Sequence, residues 1–159
     1  MDVNIYIKVL TDTLIKKNEL LDVVIDLNKA QNNILSSVEV SLEEFNIILD
    51  KKEKVITQLN QLDDGFEKIY SKIQENIKNN VMNYKTEVVF LQEQIKLIMD
   101  KSILIKIQEK SNKIKLESYL MKQKQDIKNY KISSQTVSNY YKNMMNEYQG
   151  ESYFLDKKK

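Results

Sequence analysis

Tyrosine and methionine side chains are concentrated near the C-terminal end of this sequence, where they form a candidate site for binding chemistry. Residues 138–159 contain four of the nine tyrosines and two of the six methionines of the 159-residue chain. Tyrosine supplies a large contact area at low conformational cost, and methionine adapts its shape to a partner. The candidate partner-binding residues are Val137, Tyr140, Tyr141, Met144, Met145, Tyr148, Tyr153, Phe154 and Leu155.

The spacing of these side chains predicts a short amphipathic helix. Val137, Tyr141, Met144 and Tyr148 follow the pattern i, i+4, i+7, i+11 and share one face, and Gly150 is a helix stop. A helix of about 15 residues is not stable by itself in water, so we expect partial disorder until the apolar face is covered. Either a partner protein or the end of the preceding helix could cover it, and a partner could displace that internal contact. Partner binding is favoured, because the segment has more apolar side chains than are needed to cover the polar end of the preceding helix.

Residue types that carry enzymatic chemistry are scarce. The chain contains no His and no Cys, so the usual transition-metal ligands and several acid–base and nucleophilic groups are missing. Its two glycines are isolated and cannot form a phosphate-binding loop. The acidic pairs Glu43/Glu44 and Asp63/Asp64 are interpreted as solvated surface acids, since adjacent helical residues point in different directions. We therefore predict a binding protein rather than an enzyme, with no cofactor and no metal.

The elements that must position the C-terminal residues are predicted to be helices. With no Pro and only two Gly, the chain lacks the turn residues that a sheet with several hairpins requires. We predict an all-α fold: an antiparallel bundle or coiled coil of three long helices over residues 1–131. An amphipathic, partner-binding tail follows over residues 132–159.

Helix 1 carries an apolar stripe with spacings of three and four residues. The stripe consists of Ile7, Leu10, Leu14, Leu21, Val24, Leu35 and Val38. The same frame places Lys17, Asn28 and Gln31 in the seam between helices. Polar seam residues lower stability but fix register in a coiled coil, and a locally hydrated or bent seam is the alternative.

Helix 2 is predicted to begin at Ser41, because Ser41 and Glu44 have the spacing of a capping box. Its stripe, interrupted by Lys52, consists of Phe45, Ile48, Val55, Leu59, Leu62, Phe66, Ile69 and Ile73. Phe66 stays in phase with Leu62, so we expect the helix to continue through Gly65, where a kink is the alternative.

The asparagine-rich segment ENIKNNVMNYKT, residues 75–86, contains the predicted turn into helix 3, since Asn tolerates left-handed backbone. Helix 3 is expected to run from about Val81 to Lys131. Its stripe begins with Tyr84, Val88, Leu91, Ile95 and Ile98 and is expected to move to Ile103, Ile107 and Ile114, as a straight helix drifts from a heptad repeat.

Charge is unevenly distributed, although the formal net charge is only +2. Residues 1–100 carry 12 Lys and 17 acidic residues, whereas residues 101–159 carry 13 Lys and 6 acidic residues. We interpret this as a basic third helix packed against two acidic helices. A nucleic-acid-binding surface is the alternative, but the chain lacks Arg, the residue best suited to bidentate phosphate and guanine contacts. No segment has the pattern of a membrane span or a secretory signal, so we expect a cytoplasmic protein without stable membrane insertion.

The segment SLEEFNIILDKKEKVITQLNQLDDGFEKI, residues 41–69, resembles the FlgN family of flagellar export chaperones. The resemblance lies in the leucine-rich stretch 42–49, the Lys-Glu-Lys run at 51–54, the amphipathic stretch 55–62, and the final YFLDKKK. It implies a cytoplasmic chaperone that keeps hook-associated proteins of the hook–filament junction unpolymerised and delivers them to the flagellar type III export apparatus. It also implies a cargo site in the C-terminal region. A structural coiled-coil homodimer without chaperone activity is the alternative.

Overall fold

Three long helices dominate the computed structural model of the chain, which describes residues 2–123 and 137–143. They are α1 (Val3–Leu35), α2 (Leu42–Asn79) and α3 (Lys85–Gln123), with a 3-10 turn at Val81–Tyr84 before α3. Residues 137–143, here called the C-terminal segment, are also helical. The predicted all-α bundle is confirmed. The predicted domain boundary at residues 131 and 132 and the end of helix 3 at Lys131 lie outside the described residues.

Helix α1 lies between α2 and α3 and packs against both. Along α1 from its N-terminus, the hydrogen-bonded partners in α3 rise in number from Gln94 to Lys115, while those in α2 fall from Asp63 to Lys52. Hence α3 runs parallel to α1, and α2 runs antiparallel to both. No Cα atom of α2 lies within 8 Å of a Cα atom of α3, both of which are described in full. A groove therefore separates α2 from α3 on the side away from α1. None of the described helices is long and apolar enough to cross a membrane.

The apolar stripe of α1 forms the centre of the core. Its buried predicted members are Ile7, Leu10, Leu14, Leu21 and Val24. Leu35 is only partly buried, and the prediction for Val38 is wrong, because this side chain is fully exposed. Helix α1 ends at Leu35, where the Ser36 backbone N–H donates to the Asn32 carbonyl. Val38 thus lies in the turn beyond the helix and has no packing face.

Helix α2 begins after Ser41, as predicted, and continues through Gly65 to Asn79. The Ser41 side chain accepts a 3.2 Å hydrogen bond from the Glu44 backbone N–H. Predicted stripe members that are buried are Phe45, Leu59 and Ile73, whereas Ile48, Val55, Leu62, Phe66 and Ile69 are only partly buried. Leu49 and Ile56 take buried positions that the predicted frame missed. The core-facing stripe of α2 is therefore rotated slightly from the predicted one.

Replacing Ser41 by Ala is expected to lower the free energy of unfolding by about 1 kcal/mol, because the Glu44 amide loses its side-chain acceptor. Ser111 is exposed in the interior of α3, away from any helix start. Thermal denaturation followed by circular dichroism measures both alanine variants, with Ser111→Ala as the control. Equal melting temperatures for Ser41→Ala and the unchanged protein would contradict the capping role.

The core-facing stripe of α3 differs from the prediction in its second half. Val88, Leu91, Ile95 and Ile98 are buried as expected. Beyond them the buried residues are Ser102, Ile105, Asn112, Leu116 and Leu120, while Ile103, Ile107 and Ile114 are 47%, 62% and 58% exposed. The expected drift is wrong because α3 keeps the three- and four-residue spacing of a heptad, even where this places polar side chains in the seam.

Polar seam residues make hydrogen bonds within and between helices, although the side-chain oxygens of Asn18 and Asn28 lack partners among the described residues. The Ser102 hydroxyl donates to the Ile98 carbonyl at 2.6 Å, and the Asn112 side-chain amide donates to the Asn28 carbonyl at 3.0 Å. Asn28 in turn donates to the Gln108 side-chain oxygen at 3.2 Å. The two bonds between Asn28 and α3 favour register specification over the alternative of a hydrated seam, since both require one relative position of α1 and α3.

Candidate binding groove and its docked helix

The C-terminal segment lies in the groove between α2 and α3. Val137, Tyr140 and Tyr141 are 1%, 7% and 2% exposed and belong to the main apolar core. The rings of Tyr140 and Tyr141 meet edge to face with centroids 5.3 Å apart. The remaining side chains of the segment, such as Lys142, are exposed. The segment is thus an amphipathic helix whose apolar face is docked against the bundle.

All three long helices contribute to the walls of the groove around Val137. A small cavity beside this side chain is lined by Phe45, Leu49 and Lys52 from α2, Glu109 and Asn112 from α3, and Gln31 from α1. Apolar and ionisable side chains therefore meet at the same place. The apolar side chains of such a groove provide contact area, and its polar groups favour a ligand whose own polar atoms are correctly placed.

A buried ion pair forms one end of the docking site. The Lys17 ammonium group pairs with one carboxylate oxygen of Asp63, although the Lys17 side chain is only 1% exposed. The other carboxylate oxygen of Asp63 accepts a 3.0 Å hydrogen bond from the Tyr140 hydroxyl. Hydrogen bonds to charged groups are stronger than those between neutral groups. Asp63 thereby connects α1, α2 and the C-terminal segment.

A second buried ion pair lies beside Val137. The Lys52 ammonium group is 2.5 Å from a Glu109 carboxylate oxygen and donates to the Gln31 side-chain oxygen at 2.9 Å. Burial lowers the pKa of Lys52, and the attraction of Glu109 opposes this shift only in part. The charge of Lys52 is therefore held in the core at the expense of solvation, and its position is fixed by contacts with α1 and α3.

Two polar atoms in this region lack hydrogen-bond partners among the described residues. They are the Tyr141 hydroxyl and the Gln31 side-chain nitrogen, both buried. Burial, with a smaller contribution from the negative charge of Glu109, raises the pKa of Tyr141 well above its usual value of 10.0. The docked segment is therefore buried, but two of the buried polar atoms around it make no hydrogen bond to the described residues.

Replacing Tyr141 by Phe is expected to raise the free energy of unfolding by about 1 kcal/mol at neutral pH, since an unpaired buried hydroxyl is removed. The raised pKa means that the folded protein holds the Tyr141 proton more tightly than the unfolded chain does. Stability of the unchanged protein should therefore fall as the pH rises above 10.0, and the variant should lack this contribution. Urea denaturation at several pH values measures the difference between the two proteins.

Tyr84→Phe is the matched control, because it removes the same hydroxyl from a partly buried tyrosine in the turn before α3. Both variants keep Lys52, so its titration cancels from the comparison. A Tyr141→Phe protein that is destabilised at neutral pH, or that follows the unchanged protein above pH 10, would contradict the assigned environment of Tyr141.

In the structure, part of the predicted C-terminal apolar face is buried against the helical bundle of the same chain. Val137, Tyr140 and Tyr141 are covered within the chain, but in the α2–α3 groove rather than at the end of the preceding helix that the sequence analysis considered. Binding of a partner to this face, which the sequence favours, stays a prediction. The other predicted site residues, Met144, Met145, Tyr148, Tyr153, Phe154 and Leu155, lie outside the described residues.

Asp63 and Glu109 are site residues that the sequence interpretation missed. Asp63 was expected to be a solvated acid, but it is paired on two sides and its side chain is 15% exposed. Its spacing from Ile56 and Leu59 continues the buried stripe of α2, a signal that could have identified it. Asp64, by contrast, is exposed as expected.

The observed arrangement is a helical bundle whose groove, walled by two buried ion pairs, accommodates a short amphipathic helix. Comparisons of the chain with protein-family models, curated proteins and solved structures gave no match, so the fold and the groove stand on the geometry described above.

Proposed function

We propose that the protein is a cytoplasmic, non-enzymatic export chaperone that binds hook-associated proteins of the hook–filament junction. In this role it keeps them unpolymerised and delivers them to the flagellar export apparatus. The resemblance of residues 41–69 to the FlgN family supports hook-associated proteins as the class of partner. The observation that carries the proposal is the face formed by Val137, Tyr140 and Tyr141. These large apolar and aromatic side chains are buried in a groove of the bundle.

Exchange of this face between groove and cargo is the proposed mechanism. An amphipathic helix that lies in an apolar groove is a recurring mode of peptide recognition. The same apolar side of the C-terminal segment can contact either the groove or a helix of the cargo, but not both at once. We infer that the segment leaves the groove when cargo binds, and that Val137, Tyr140 and Tyr141 then contact the cargo.

The energetics of docking are compatible with exchange. The Tyr141 hydroxyl and the Gln31 nitrogen lack partners among the described residues in the docked arrangement, and each such buried group costs about 1–3 kcal/mol. Release of the segment exposes the Gln31 nitrogen to water, and a contact with cargo that supplies a partner for the Tyr141 hydroxyl offsets a further part of the cost of release. Because only the released form binds, the apparent affinity for cargo is reduced by the fraction of protein that is docked.

Replacing Tyr140 by Phe is therefore expected to tighten cargo binding by about tenfold. The variant keeps the aromatic ring but loses the hydrogen bond to Asp63, and a bond to a charged acceptor is worth about 1.5 kcal/mol. The docked form is weakened while the apolar face is preserved. Isothermal titration calorimetry of the full chain against purified hook-associated proteins measures the effect.

Tyr84→Phe serves as the control, since it removes the same hydroxyl group from a tyrosine in the turn before α3. Failure of the unchanged protein and of the Tyr140→Phe variant to bind any hook-associated protein would reject the chaperone function. Binding with equal affinity for both proteins would instead reject the exchange mechanism and leave the chaperone function in place.

A further inference from the structure

Five large apolar side chains form an exposed row on α3 that no part of the proposed function uses. This row, here called the outer stripe, consists of Val89, Ile103, Ile107, Ile114 and Met121, which are 42%, 47%, 62%, 58% and 74% exposed. Single exposed apolar residues are ordinary, but an aligned row of large ones is typical of an interaction surface.

The outer stripe lies on one face of α3. Ile103, Ile107, Ile114 and Met121 are separated by four, seven and seven residues, and Val89 precedes Ile103 by two heptads. This spacing places them on a common face, distinct from the buried seam that contains Ser102 and Ile105. Four exposed charged residues, Glu93, Lys96, Asp100 and Lys110, share the face, as does the partly buried Glu117. The pattern is that of a second, outward-facing heptad seam.

We propose that the outer stripe binds a second copy of this chain, with the two α3 helices antiparallel. In the register that the charges favour, Ile103 faces Ile107 of the second copy. Asp100 then faces Lys110, and Val89 faces Met121. Each contact occurs twice because of the twofold symmetry. The interface thus has four isoleucines at its centre, flanked by two pairs of opposite charge.

Apolar and charge matching together select this register over its neighbours. It aligns two apolar pairs of α3 and one pair of opposite charge. A shift of one heptad in one direction keeps one apolar pair but places Asp100 against Glu117 and Ile107 against Lys110. The opposite shift keeps one apolar pair but places both central isoleucines, Ile103 and Ile107, against charged residues. Parallel pairing in register would set each Lys and Asp of the stripe against its own copy, and like charges at helix seams are unfavourable.

Toward its ends the proposed interface contains two kinds of unfavourable contact, each occurring twice: Glu93 faces Glu117 of the second copy, and Lys96 faces Ile114. Glu93 is solvent-exposed, and Lys96 lies within one helical turn of the same Glu117, so the repulsion is compensated locally. The outer stripe and the groove use different sides of α3. The dimer and the proposed chaperone activity are therefore independent.

The oligomeric state of the full chain in solution tests the proposal. Sedimentation velocity over a range of concentrations is expected to detect a reversible dimer. Ile107→Asp should raise the dissociation constant at least tenfold, because it places a charge at the centre of the interface. Leu97→Asp is the matched control: Leu97 is 46% exposed on the same helix but lies roughly 100° around it from the stripe. Circular dichroism establishes that each variant is folded.

A charge exchange tests the register. Asp100→Lys and Lys110→Asp should each weaken the dimer, and the double variant should restore it, because the opposite charges again face each other. A protein that stays monomeric up to about 1 mM would overturn the proposal. So would a dimer that Ile107→Asp leaves intact, while failure of the double exchange to restore association would overturn the register.

Discussion

Replacing Lys52 by Ala is expected to lower the free energy of unfolding by about 3–5 kcal/mol, the range seen when one partner of a buried ion pair is removed. The Lys52 side chain is 1% exposed and connects α2 to Glu109 of α3 and Gln31 of α1. Its loss leaves the Glu109 carboxylate without its cation and creates space beside Val137. Urea denaturation followed by circular dichroism measures the change.

Lys54→Ala is the matched control for this prediction, because Lys54 is exposed on the same helix. Lys54→Ala is expected to change the free energy of unfolding by less than about 0.5 kcal/mol. The double variant Lys52→Met, Glu109→Gln should recover most of the lost stability, since both charges are removed together. A Lys52→Ala effect as small as that of Lys54→Ala would mean that the ion pair does not contribute to folding.

Leu59→Ala is expected to lower the free energy of unfolding by about 2–5 kcal/mol through the cavity it creates in the core. Leu59 is fully buried, whereas Ile69, ten residues later on α2, is only partly buried against the core. Ile69→Ala should therefore lower the free energy of unfolding by less, about 1 kcal/mol, because the Ile69 side chain is already partly exposed to solvent.

Chemical denaturation of the two alanine variants in parallel measures this difference. Both substitutions place Ala in the same helix and remove side chains with the same number of carbon atoms, so helix propensity contributes little to the comparison. A larger loss for Ile69→Ala than for Leu59→Ala would contradict the observed orientation of α2, in which Leu59 and Ile73 face the core.

The sequence by itself determined the helical class, the order of the helices and the start of α2. These features are local: the scarcity of Gly and Pro excludes hairpins, and Ser41 caps α2 through an amide three residues away. The apolar spacing also identified the face of α1 that forms the core, and it placed Val137 and Tyr141 together on one side of a short helix. Periodicity carries this information because it reports which residues of one helix share a face.

Tertiary structure decided which of the competing faces was buried. In α3, Ser102 and Asn112 occupy the seam while Ile103, Ile107 and Ile114 are exposed. No local rule favours this outcome, because Asn112 depends on a carbonyl of α1 that is 84 positions away in the sequence. The spacing of Asp63 places it on the buried stripe of α2, but its partners are decided only when Lys17 and Tyr140 are brought to it. The C-terminal segment has a groove to occupy only because α1 holds α2 and α3 apart. Contacts of this kind arise between helices, and single-helix periodicity contains no information about the partner's polar atoms.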